Sequence, residues 1–266
     1  MALPFFNAYR GSIGRFFQGD PTLVGYWQLG GNSLDNSGNG NNGTNTAVSY
    51  SPAYSRFNGG QGASFNGSSS VITISNATSL QITGALSISF WIYPNVNNVE
   101  QTIIAKGPNA IGGAEYLVLL GADNGNGDIR FVSSNSSNWF GVHNANSSDN
   151  LATGQWYHIV VVRTGNTSSD TLRIYKNGKS LPVSVESTNP SYVSATSYNV
   201  VFGNNSSGVN EWFNGYLDEV GIWNRALTPQ EISQYYQWAT SQPRKTYYEV
   251  RGLLVPNTRR RLLLSM

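Results

Sequence analysis

The 266-residue chain has no cysteine, which excludes disulfides and thiolate-held metals. Charge is scarce as well. Asp, Glu, Lys and Arg make up 11% of the residues, well below the usual quarter. No apolar run approaches the ~18 residues that a membrane span needs. Met1 to Asp20 carries Gly and Arg where a secretory leader has its apolar stretch. No Sec signal peptide is therefore expected, and an extracellular or virion-surface location would be reached by lysis or another route. The two histidines, His143 and His158, stand in no metal-ligand spacing, and no Ser-His-Asp set is readable.

Gly, Asn, Ser and Thr fill the space that charge leaves, and 39% apolar residues suffice for a core. Such a composition suits a neutral, loop-rich β fold. The net charge of +2 is unevenly spread: residues 22–242 carry a balance of −4, and residues 243–266 one of +5.

Short apolar or alternating segments recur between turn formers: Gly62–Phe65, Val71–Ile74, Leu86–Tyr93, Gln101–Lys106, Tyr116–Leu120, Asp128–Val132, Trp156–Arg163, Thr171–Lys176 and Val200–Phe202. Asn177-Gly178 is a strong hairpin signal. His158 falls inside an apolar strand, where a hydrogen-bonded structural histidine is expected. The stretch Phe213 to Ile232 closes the pattern. Its first half alternates like a strand and carries Asp218-Glu219. Thr228-Pro229-Gln230-Glu231 then reads as a capping box opening a helix. Many short strands and one late helix predict an all-β sandwich or jelly roll over 22–237. Outside it lie an N-terminal arm (1–21) with Phe5, Phe6, Phe16 and Phe17, and a basic, apolar C-terminal arm (238–266). The latter carries Tyr247, Tyr248, Arg251, Arg259, Arg260 and Arg261. Val250 to Val255 suits a strand added to a neighbour's sheet.

Eight motifs stand in a telling order: Tyr26-Trp-Gln-Leu29, Leu34 to Thr44, Ala63 to Gly67, Leu86 to Pro94, Ile104 to Gly107, Trp156 to Val160, Leu172 to Gly178, and Phe213 to Ile232. Over about residues 22–237 the chain resembles the laminin G-like, concanavalin A-like lectin/glucanase superfamily, above all its bacterial and phage members. The resemblance implies a two-sheet antiparallel jelly-roll sandwich, often with a structural calcium ion, and binding at the loops of one end or on the concave sheet. The basic, aromatic tail is similar to those of phage members.

Calcium favours oxygen ligands. The loop from Asp35 to Thr44, with Asn39 and Asn41, supplies them, and in the resembling proteins that loop adjoins the last strand. Asp35, Asn39, Asn41 and Asp218 are thus the metal candidates; the alternative is that they form Asx-turns and caps. Trp139, Phe140, Tyr192 and Trp212 sit in Asn/Ser-rich loops, where they either stack on sugar rings or plug the sandwich ends or a subunit interface. Hydrolysis is not expected. The Glu-x-Asp-x-x-Glu of jelly-roll glucanases is missing, and Asp218 and Glu219, being sequential on a strand, should face opposite sides. Glu219 then reads as a surface or hairpin charge.

Two functions follow as expectations. One is a non-enzymatic structural surface protein of a large assembly, such as a phage capsid decoration or fibre component, joined to other subunits through both termini. The other is a calcium-dependent carbohydrate-binding adhesion module. A nucleic-acid partner is not expected, because apolar residues interleave the tail's arginines.

Overall fold

A computed structural model describes residues 12–241, except 58–59, 111–112, 122–126, 136–137, 168–169, 187–192, 194 and 206–209, together with the backbone of 247–250 and 253–256. Two antiparallel eight-stranded sheets face one another. The first runs, edge to edge, β13 (Lys179–Ser180), β12 (Leu172–Lys176), β11 (Tyr157–Arg163), β6 (Leu86–Pro94), β16 (Asn214–Trp223), β4 (Gly62–Asn66) and β3 (Ser49–Ser51), with β1 (Leu23–Trp27) also paired to β16. The second runs β14 (Val183–Val185), β10 (Trp139–Asn144), β9 (Ile129–Ser134), β8 (Tyr116–Leu120), β7 (Gln101–Lys106), β15 (Val200–Phe202), β5 (Val71–Ile74) and β2 (Gly43–Thr46). This is the expected jelly-roll sandwich.

Alternation along each strand fills the space between the sheets. Ile88, Phe90 and Ile92 of β6 meet Ile159 and Val161 of β11, and Phe131 and Val118 come from the facing sheet. The Asn177-Gly178 turn joins β12 to β13 with both residues at positive φ (52° and 78°), the conformation a two-residue hairpin needs.

A second apolar layer covers the outer face of the first sheet. Helix α2 (Pro229–Ser241) lies there, placing Ile232, Tyr235 and Ala239 against Trp91, Val160, Val162, Tyr175 and Trp223. The expected capping box starts it: Glu231 N–H donates to Thr228 Oγ1 (3.2 Å), and Thr228 N–H donates to Glu231 Oε2 (2.8 Å). The helix continues four residues past the expected end of the body at Gln237, because Ala239 still finds cover. The helical turn α1 (Ile13–Phe16) joins the same layer.

Part of the expected N-terminal arm is therefore body. Phe17 meets Trp223 edge-on at 5.0 Å, and Phe16 lies 5.5 Å from both Tyr235 and Trp238. Phe17 is buried and Phe16 half-buried within their own chain. Phe5, Phe6, Arg251, Arg259, Arg260 and Arg261 lie outside the described residues. Tyr247 and Tyr248 belong to β17 (Tyr247–Val250), which pairs with β18 (Leu253–Pro256). The expected single strand over 250–255 is thus a hairpin that pairs with itself.

Candidate functional site

Trp156, Tyr93 and Tyr216 are set side by side by strand register on the outer face of the first sheet, with Trp156 packed against the apolar layer that includes α2. Tyr216 is opposite Tyr93, and Trp156 just precedes β11, whose Tyr157 is opposite Ile92. Tyr54, from the 3-10 turn Pro52–Tyr54, extends the line. Ring centroids are 4.6 Å apart for Tyr54 and Tyr216, 5.1 Å for Tyr216 and Tyr93, and 5.7 Å for Tyr93 and Trp156. The Tyr216 ring makes interplanar angles of 21° with Tyr54 and 32° with Tyr93, and Trp156 meets Tyr93 edge-on at 63°. All four are half-buried. The hydroxyls of Tyr54, Tyr93 and Tyr216 have no hydrogen-bond partner among the described residues.

One pleat further along, the same face carries Asn66, Asn214 and Asn95. Asn214 is opposite Asn66, and Asn95 Nδ2 donates to Asn214 Oδ1 at 3.1 Å. An aromatic line with free hydroxyls thus runs beside a line of amides. This row escaped sequence reading because its members come from three strands and a turn. The usable signal was parity: Tyr93 and Tyr216 fall on the polar side of strands whose other side is apolar.

The acid pair lies on the same outer face, under α2. Leu217 and Val220 both point into the sandwich, so the two residues between them both point outward. The register slips between Asp218 and Gly221, and Glu219 adopts φ 54°. This is a β-bulge, and it overturns the expectation that the acids face opposite sides. Asp218 Oδ2 accepts from Arg56 N–H (2.9 Å) and Ser55 Oγ (3.2 Å). Glu219 Oε2 accepts from Ile13 N–H (2.8 Å) and Tyr26 Oη (2.8 Å), so it is no surface charge. Burial pushes Asp218 up to about 8, and burial and then the Asp218 charge raise Glu219 well above the carboxylate range. Both carboxyls are buried, each held by its own donors.

His158 is buried under α2 with Nε2 2.8 Å from Ser89 Oγ, the structural role expected of it, and desolvation lowers its pKa to about 3.

Each of the four metal candidates is engaged in hydrogen bonds within the fold. Asp35 faces donors: its carboxylate accepts from the N–H groups of Tyr26 (3.0 Å), Ser37 (2.8 Å) and Asn41 (2.9 Å) and from Ser37 Oγ (2.9 Å). Asn41 Nδ2 donates to Val24 O (2.8 Å), and Asn39 Nδ2 to Ser37 Oγ (3.1 Å). Asp218 is engaged in the bulge and shares no partner with Asp35. A carboxylate ringed by N–H and O–H donors is already satisfied, and the donors leave a cation no approach. Among the described residues no group of three His, Cys, Asp or Glu could hold a metal.

Of the sugar-binding candidates, Trp139 and Phe140 lie on strand β10 rather than in a loop. Phe140 is in the sandwich core, and the Trp139 ring lies beneath Arg130 at 5.9 Å. Trp212 is bridged to Thr102 of β7, three strands away from β10. Polar flanks hid the alternation of Phe140 and Val142. Tyr192 lies outside the described residues.

A family model described as Concanavalin A-like lectin/glucanases superfamily (Laminin_G_3) matches residues 66–233. The chain belongs to this superfamily. Domain 4 of AbnA, a GH43 extracellular arabinanase from Geobacillus stearothermophilus, solved with arabinotriose, superposes with TM-score 0.62 at 22% identity, over 81% of this chain and 98% of its own. The binding domain of Paraclostridial Mosquitocidal Protein 1 superposes with TM-score 0.66 at 19% identity, over 86% of this chain and 56% of its own. The binding domain of Botulinum neurotoxin DC, in complex with rat synaptotagmin II, gives 0.60 at 18%, over 82% and 52%. At these identities the superfamily and its neighbours share the fold. No curated protein sequence matches the chain. Among the described residues no helix is long and apolar enough to cross a membrane.

Proposed function

We propose that this chain is a non-catalytic carbohydrate-binding module that seats an extended glycan along Trp156, Tyr93, Tyr216 and Tyr54. The row itself carries the reading. Aromatic rims cover the apolar faces of sugars, while free phenol hydroxyls and the neighbouring amides of Asn95 and Asn214 meet sugar hydroxyls. Domain 4 of an arabinanase, solved with arabinotriose on the same fold, supports it. Binding is independent of calcium, since the Asp35 loop is satisfied by its own donors.

Affinity electrophoresis against a panel of soluble polysaccharides tests this. Retardation of the full chain should be lost in Tyr93→Ala and Tyr216→Ala and kept in Trp139→Ala and in the presence of EDTA. Equal retardation of row variants and parent removes the proposal.

The wider setting we propose is the surface of an assembly such as a phage virion, with subunits joined through the termini. The basic charge of residues 243–266 and the resemblance to phage proteins support it. Light scattering decides: the full chain should form a defined oligomer that a chain ending at Ser241 does not.

A further inference from the structure

Away from the aromatic row, three residues at the rim of the sandwich bring together a buried amine, a carboxamide and a carboxyl. Lys106 ends β7 with the inward parity of Ile104 and is fully buried. Strand β15 lies between β7 and β5, and its Val200 is opposite both Lys106 and Ile74. Asn76 follows Ile74 by two residues, so the lysine reaches it across the end of β15. Lys106 Nζ is 2.6 Å from Asn76 Oδ1, 2.6 Å from Tyr198 O and 3.9 Å from Glu115 Oε2. Glu115 directly precedes β8 and is also fully buried.

From this geometry we propose that the chain cross-links itself: Lys106 and Asn76 form an intramolecular isopeptide bond, with Glu115 as the proton carrier. A lysine becomes a nucleophile when it loses its proton, which burial away from water promotes. Desolvation lowers the Lys106 pKa and raises that of Glu115, so both shift toward their neutral forms. Asn76 Oδ1 also accepts from Gln81 Nε2 at 3.4 Å, a second donor on the oxygen where charge develops. Backbone contacts fix the parts. Asn76 N–H donates to Asn199 Oδ1 (3.0 Å), and Glu115 accepts from the N–H groups of Ile82 and Thr196 and from Thr196 Oγ1.

The reaction balances without a co-reactant. Glu115 takes a proton from the Lys106 ammonium, and the freed Nζ lone pair attacks Asn76 Cγ. The Cγ–Nδ2 bond breaks as Glu115 returns its proton to Nδ2 and accepts the surplus proton from Nζ. One C–N bond forms, one breaks, ammonia leaves, and the proton that Glu115 holds at the end passes to water. In a chain without cysteine the product is a covalent staple between β5 and β7.

Intact-mass spectrometry of the purified full chain under denaturing conditions tests the proposal. The expected mass is below the sequence mass by one ammonia, about 17 Da, with fragmentation joining the Lys106 and Asn76 peptides. Lys106→Arg and Glu115→Gln should each restore the full mass. A wild-type chain at full mass, with both residues in separate peptides, overturns the proposal even if neither variant folds. So does an ammonia loss that persists in Lys106→Arg, which places it at an Asn-Gly succinimide. A cross-link that persists in Glu115→Gln overturns the role of Glu115.

Discussion

Asp218 and Glu219, adjacent on β16, turn both carboxyls to the same outer face because Glu219 occupies the left-handed region at φ 54°. The bulge also divides one edge of β16, with β4 on 214–217 and β1 on 220–223. Each acid ties a different segment to that strand: Asp218 the turn at Ser55 and Arg56, Glu219 the N-terminal residue Ile13.

Folding should weaken as pH rises through this pair. The folded-state value of Asp218 is about 8 against an ordinary 3.8, so the folded chain holds a proton that the unfolded chain has released. Stability is complete below the unfolded value and declines as pH rises toward 8, at up to about 1.4 kcal/mol per pH unit for one acid. Glu219, also raised, adds to the slope. The nearby charged and titratable groups are Arg56, Tyr26 and Tyr235. Urea denaturation at several pH values should show a shallower decline in Asp218→Asn, which keeps an oxygen for Arg56 N–H; an unchanged slope means that Asp218 does not carry it.

Calcium chelation should leave the melting temperature where it was, whereas Asp35→Ala should lower stability by about 2–4 kcal/mol, since four donors lose their acceptor. Differential scanning calorimetry with and without EDTA measures both. A drop of several degrees on chelation would place an ion in the fold after all.

Phe17→Ala should cost about 3–5 kcal/mol, the usual effect of emptying a buried aromatic site. A chain beginning at Ser12 should keep that stability, and one beginning at Thr22 should lose it. Equal denaturation midpoints for the two truncated chains would show that α1 does not stabilise the body.

The capping box should contribute about 1 kcal/mol, so Thr228→Ala lowers stability by that amount. Glu231→Gln should cost more than removal of the cap's own bond, because Arg225 also bridges Glu231 (2.7 Å) and Asp20 (2.7 Å). Paired chemical denaturation of the two variants checks the order.

Local chemistry settled much by itself. Short apolar or alternating segments marked β7, β8, β15 and β5 at their observed bounds, and Thr228 with Glu231 marked the helix start. Asn177-Gly178 gave its hairpin. These are short-range effects, written in consecutive residues. Missing cysteine likewise fixed that no disulfide holds the sandwich. Tertiary structure alone decided the rest. Parity along β16 fails at one residue, and only pairing with β1, β4 and β6 reveals the bulge. The line from Trp156 to Tyr54 exists because register aligns three strands with a turn, and Lys106 meets Asn76 and Glu115 only because β15 inserts between β5 and β7. Contacts between residues far apart in sequence depend on strand order and register, which no local pattern encodes.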